Sequence, residues 1–278
     1  MTRNFIAVAA LLVCGVLVAG FTVAQTTPAS FSSKQLTVSN IDPKHFSVQL
    51  VDGTFSFRGL PTLHAVLPEK HLTLDAARVD GTIDQASRVV KTAKLTGGVK
   101  GSLESVSTDG AEHFTFSGPI VTYTNAGAAD EQNADIDVSG GATFGSVNDA
   151  AKRTLFLKGS HGFFQVRSKN GVGGLTNADL DGPVAANFSG QMLSKDKAKA
   201  TPVSGKATCG HLTVRPAGTG FVIRMSGGVA LHGTTGAIEG VELHTAAINI
   251  EVDAKGNFIS LGSEDDTTAT VPTGKHSA

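Results

Sequence analysis

The sequence predicts an all-β chain, an elongated antiparallel structure built from strand-pair repeats of about 22 residues, and three observations point there. Composition is the first: 278 residues include 33 Gly and 15 Phe, with no Trp and one Tyr. Thr, Val and Ala are abundant and no long Leu/Glu/Lys-rich window occurs, which is strand rather than helix usage. Next comes a recurring unit, a polar residue and glycine followed by a small or branched residue, at Gly59, Gly81, Gly97, Gly118, Gly140, Gly159, Gly182, Gly205 and Gly227. The best-formed copy is Phe221-Val-Ile-Arg-Met-Ser-Gly-Gly-Val-Ala-Leu-His-Gly233. Alternation is the third, as in Phe46-Ser-Val-Gln-Leu50, Phe114-Thr-Phe116, Ile136-Asp-Val138, Leu212-Thr-Val214 and Ile248-Asn-Ile-Glu-Val252. Each such run offers one apolar and one polar face. Glycine tolerates positive φ, so the glycines read as reversals, and each repeat then holds two strands of roughly 6–8 residues. Such a pair cannot bury its apolar face alone, so successive pairs must stack or fold over one another.

Taken in order, Met1 to Asn4 carries one positive charge and Phe5 to Ala24 is apolar apart from Thr22. Residues 1–24 are expected to be a signal peptide cut after Thr22-Val23-Ala24, or else an uncut N-terminal membrane anchor, since about 20 apolar residues can span a bilayer. Residues 25–262 form the expected β-domain, in one body or in two halves meeting at the charged connector 194–202. Ser146 to Arg153 reads as a long hairpin loop. After Leu261 the apolar content almost ceases, and 263–278 is expected to be a disordered tail.

Charge and chemistry exclude several classes. With 23 Lys and Arg against 24 Asp and Glu there is no basic surface for nucleic acid. Outside the leader only Cys209 remains, so no internal disulfide is expected, and a lone strand cysteine reads as a small core residue. No two histidines stand four apart beside a Glu as a helical zinc motif requires, and no cofactor is implied. Gly171-Val-Gly-Gly174 has the composition of a phosphate loop without the helix and Lys-Ser that would complete one, so it reads as a hairpin turn. Asp75, Asp80 and Asp84, or Asp130, Asp135 and Asp137, could gather for calcium or glycoside chemistry, but alternating acids on strands read first as a solvent face. The chain is not expected to be an enzyme.

What remains is a surface. A folded-over sheet has two inner faces, and if they do not close they leave an apolar groove suited to acyl chains. Its candidate lining is Val99, Ile120, Phe144, Phe156, Val184, Phe221, Ile223, Val229 and Leu231. The same residues could instead fill a sealed core.

Leu72-Thr-Leu-Asp-Ala-Ala-Arg-Val-Asp-Gly81, Ala93-Lys-Leu-Thr-Gly-Gly-Val-Lys-Gly101, Ala134-Asp-Ile-Asp-Val-Ser-Gly-Gly-Ala-Thr-Phe144 and Met225-Ser-Gly-Gly-Val-Ala-Leu-His232 resemble units of the OstA-like family of periplasmic lipopolysaccharide-transport proteins, the LptA and LptC type. The resemblance runs from about Leu60 to Leu261 through short motifs. It implies a twisted β-jelly-roll, a folded-over β-solenoid open at its edges, that shields the acyl chains of lipopolysaccharide or another glycolipid. Implied partners are like-folded transport subunits, joined by edge-strand addition, and an inner-membrane transporter. The chain departs from the family in being longer and rich in Gly and Ala. Two other classes stay open: a structural or adhesive β-solenoid without ligand, and a carbohydrate-active β-helix needing carboxylates ~5–9.5 Å apart.

Overall fold

The computed structural model describes residues 29–32, 37–49, 51–67, 72–84, 89–107, 110–127, 131–169, 172–193, 200–236, 238–253, 256–264 and 267–270. The leader and the tail beyond 270 lie outside them. Among the described residues there is no helix. The strands are β1 (Ala29–Ser32), β2 (Thr37–Gln49), β3 (Thr54–Leu67), β4 (Leu72–Asp84), β5 (Val89–Ser107), β6 (Gly110–Asn125) and β7 (Glu131–Asn148). They continue as β8 (Arg153–Lys169), β9 (Val172–Leu193), β10 (Ala200–Ala217), β11 (Gly220–Thr235), β12 (Ile238–Val252), β13 (Phe258–Ser263) and β14 (Thr268–Thr270). All belong to one sheet, and β1 to β13 follow one another in sequence order by antiparallel pairing. The fold is therefore all-β and elongated, as composition and alternation predict.

The repeating unit differs from the expected strand pair. Strands β2 to β12 run 13 to 22 residues, and most recurrent glycines lie in mid-strand, not between strands. At that line the pairing register is interrupted in one strand after another: Thr96/Val99, Ser117/Ile120, Ser139/Ala142, Lys158/His161, Thr208/His211 and Ser226/Val229. Each unit is one long strand bent near its middle, and its two halves stand where two short strands were expected. Two positions show why glycine is needed there. Gly97 and Gly98 both have positive φ, at 86° and 79°, which a side chain disfavours. At Gly182 an added Cβ would stand 2.1 Å from the Gly210 carbonyl oxygen, so neighbouring backbones touch across the bend.

Because the long strands bend at this line, the sheet folds over into two facing walls. The first wall carries segments such as 89–96, 120–125, 161–169 and 220–226, and the second carries 99–107, 110–117, 153–158 and 229–235. Strand direction decides what the bend does to the inward face. Strands running from first wall to second keep their parity, as Leu95 and Val99 in β5 or Leu180 and Val184 in β9. Strands running back shift it by one, so Phe116 is followed inward by Val121 in β6 and Leu157 by Phe164 in β8. An odd number of bulged residues exchanges the two faces of a strand.

Burying these inward sets holds the walls together, each Leu, Val, Ile or Phe contributing about 1.5–3 kcal/mol. The core has two clusters. One runs from Val38 to Val166 and the other from Leu157 to Ile250, with Phe164 packed against both. The two clusters meet on β8, which carries Leu157 of one and Val166 of the other; of the charged connector 194–202, residues 194–199 lie outside the described residues, and Ala200 to Pro202 open β10. Two further expectations are corrected. Ser146 to Asn148 complete β7, so only 149–152 turn, closed by the Asn148 side-chain oxygen accepting from the Ala151 amide at 2.8 Å. In the tail, Thr268–Thr270 forms β14 on β12, because backbone pairing needs no apolar side chain.

The ends of the sheet are finished unequally. β1 covers only the 37–41 part of β2, so among the described residues 47–49 pair on the β3 side alone. At the other end β13 covers 248–252 of β12 and β14 covers 242–244. Beyond Val252 the chain turns back at Asp253, whose amide bonds the Asn257 carbonyl at 2.9 Å, and β13 begins with Phe258 bridged to Met192 of β9. Asp253 and residues 256–258, the strap, thereby tie the first wall to the second, Phe258 pairing with Val252 on one side and with Met192 on the other.

Candidate ligand cavity

Between the walls lies a cavity of about 310 Å³ lined almost wholly by apolar side chains. The first wall contributes Leu95, Tyr123, Val138, Val166, Leu212 and Ile250, and the second Phe114, Phe116, Phe144, Leu155 and Phe188. Phe114 and Phe144 rings stand 6.3 Å apart, within the range of favourable tilted pairs. Phe188 meets Phe258 of the strap edge-on at 5.6 Å.

One end is polar. Glu112 of β6, Ser146 of β7 and Arg153 of β8 lie side by side on the second wall and Asp253 of the strap joins them, while the neighbouring Thr154 and Ser189 hydroxyls bond each other at 2.9 Å on the face that carries Phe156. Ser146 Oγ donates to Glu112 Oε1 at 2.7 Å, and Arg153 Nη2 stands 3.2 Å from Glu112 Oε2. The two charged side chains are only 11% and 8% exposed. Burying a charge is costly unless it is paired and hydrogen-bonded, and here both conditions hold. Gly256 lies directly on the guanidinium, since a Cβ there would be 2.7 Å from Arg153 Nη1.

Of the nine residues expected to line a groove, the structure brings Val99, Phe144, Phe221 and Ile223 to the cavity. The others do not reach it. Val184 and Val229 are closed off in the second core, and Leu231 packs against its edge. Ile120 is half-buried because the one-residue shift at Gly118-Pro119 puts Val121 and Tyr123 inward instead. Phe156 is 46% exposed, standing on the outer face between the inward Leu155 and Leu157. The runs Phe114-Thr-Phe116, Ile136-Asp-Val138 and Leu212-Thr-Val214 held the correct phase. Glu112 and Arg153 had no signal as a pair, lying on different strands, one beyond the intervening turn.

The acids considered for calcium or glycoside chemistry stand beside basic and hydroxyl partners. Asp75 takes the His64 ring at 2.7 Å, Asp80 takes Ser56 and Arg78, and Asp135 takes Arg167 at 2.8 Å. Asp130 lies outside the described residues. Along the bend, on the outer face, a chain of groups runs from Asp137 to His161 (2.6 Å), on to Asp181 (3.3 Å), to His211 (2.8 Å) and to Asp179 (3.7 Å), which also meets Arg215. The hydrogen bond to Asp137 raises the His161 pKa above its usual range, with Asp181 adding to it against a burial penalty. Burial works to raise Asp137, but hydrogen bonds from Ser139 and His161 hold it below the usual carboxylate range. Asp181 is lowered by His211 first and His161 second. Among the described residues no three His, Cys, Asp or Glu are arranged to hold a metal. Cys209 is a buried core residue whose thiol pKa burial pushes up, which makes it a poor nucleophile.

No protein-family model matches the chain, and neither a curated protein nor a solved structure does.

Proposed function

We propose that this protein is an exported lipid-binding carrier that shields an acyl chain of lipopolysaccharide or another glycolipid in the cavity between its walls. The observation that carries this reading is the cavity itself: about 310 Å³ of apolar space that the two cores leave unfilled. Interiors normally pack with few voids larger than a water molecule, so retained apolar space of this size suits an apolar guest. The apolar leader Phe5 to Ala24 supports export to the periplasm. Among the described residues the 47–49 part of β2 pairs with β3 alone, which supports addition of a strand from a like-folded subunit, and the same reading gives it an inner-membrane transporter as donor.

The test is native mass spectrometry of the full chain with lipopolysaccharide, coupled to photo-crosslinking from a benzophenone residue placed at position 223 or at 156. A stoichiometric acylated adduct, crosslinked from 223 and not from 156, is expected. A chain that stays empty with every acylated ligand supplied overturns the reading and leaves a structural solenoid.

A further inference from the structure

The space between the walls has a source in the sequence of β9, and that source limits what the space can hold. Ala178 and Ala186 stand four residues before and four after Gly182, at equal distance from the bend on the two walls, and both line the cavity. At the corresponding positions the pairing register places Ile136 and Phe144 on β7, and Phe164 and Leu157 on β8. Facing side chains of that size take up the room between two walls, whereas one methyl group from each wall leaves it open. Closer to the bend, Leu180 and Val184 are each 1% exposed and close the space on that side. On β10, Val214 stands beside Ala178 and bounds the space in the first wall. The two alanines are therefore where the cavity gains its room.

Volume converts this into a chain length. A water molecule's share of liquid volume is about 30 Å³ and a methylene group is close to it in size, so about 310 Å³ holds roughly ten chain carbons. We propose that the cavity takes a single alkyl chain up to a limit of roughly ten carbons, and that Ala178 and Ala186 set this limit. The proposal rests on the carrier reading above and deepens it. Carbons beyond the limit stay outside, and a lipid with several chains places one of them here.

Isothermal titration of the full chain with octyl, decyl, dodecyl and tetradecyl maltoside, each below its micelle concentration, tests this, because the head group is common to the series. From octyl to decyl the affinity should rise roughly tenfold, as two more buried methylenes require, and from decyl to tetradecyl by less than about threefold. Ala186→Leu puts three more carbons into the space, so octyl and decyl maltoside should then bind within about threefold of each other. Ala178→Leu, from the opposite wall, should act in the same way. Without ligand both variants should melt at or above the wild-type temperature, because they fill space that is empty. A roughly tenfold gain at every step up to tetradecyl, or an equal loss at every chain length in both variants, overturns the limit while the carrier reading stands. Two variants that melt below wild type or fail to fold by circular dichroism do so as well, since side chains would then already fill the space beside β9. Wild-type protein that binds none of the four ligands overturns both.

Discussion

The inner and outer faces of the bent sheet both carry ionic networks, and they differ in what surrounds them. Inside, Glu112 and Arg153 form one pair in a nearly closed site, fixed by Ser146 and covered by Gly256. Outside, Asp137, His161, Asp181, His211 and Asp179 form a longer chain in which the histidines are 36% and 39% exposed. More contacts do not make the outer chain the stronger element. Water screens exposed pairs to roughly 0–1 kcal/mol each, whereas breaking a buried pair strands a charge where nothing else solvates it.

The largest effect expected from that contrast comes from Arg153→Met. Leaving Glu112 buried without its partner should cost about 3–5 kcal/mol, a large part of an ordinary domain's stability, as read from urea unfolding. Adding Glu112→Gln to Arg153→Met should restore most of the loss, because Glu112 is then no longer a buried charge without its partner. If Arg153→Met alone unfolds at the wild-type urea concentration, the pair is as screened as the outer chain and the contrast fails.

Between the two networks runs the bend, and its glycines separate close packing from backbone conformation. Gly182→Ala would drive a Cβ to 2.1 Å from the Gly210 carbonyl, forcing two strands apart, and about 2–3 kcal/mol of lost stability is expected. Gly98→Ala meets no atom within 4 Å but sits at φ 79°, so only the left-handed penalty of about 1–2 kcal/mol applies. Thermal unfolding of both variants checks the order. Equal losses would mean that the strands do not touch across Gly182.

The same line marks the limit of what the sequence disclosed. The all-β class was legible in composition and alternation, and Val99, Phe144, Phe221 and Ile223 were in phase because β5, β7 and β11 keep their parity across the glycines. Ile120 was missed for the opposite reason: β6 shifts by one at Gly118, and a period-two reading carried past that point selects the wrong face. Phe156 was placed in the lining, although its neighbours Leu155 and Leu157 hold the inward phase. The Glu112–Arg153 pair was beyond reach because it depends on which strands lie side by side, and alternation says nothing of register. The glycine period itself was read correctly as a repeat and wrongly as a turn, since a bulge and a hairpin both call for positive φ.

The smallest effect belongs to the outer chain and shows itself through pH. His161 has its pKa raised by Asp137 and then Asp181, so its stabilising contribution is complete below the unfolded value of 6.5 and is lost as pH rises through the raised folded value. Asp137 and Asp181 are lowered, so theirs is present above 3.8 and is lost as pH falls through the lowered values. The two windows overlap between about pH 4 and 6.5, where a charged His161 stands between the charged Asp137 and Asp181. His161→Asn removes the cation and keeps a hydrogen-bonding side chain. Its melting temperature should fall below wild type by more at pH 5.5 than at pH 8, with the difference shrinking in 1 M salt because these groups are exposed. Glu112→Gln carries no such salt dependence if its partner is shielded from water. Parallel pH profiles for wild type and His161→Asn would mean that the imidazole is not charged in the folded chain, and the outer network would then be a set of neutral hydrogen bonds along the bend.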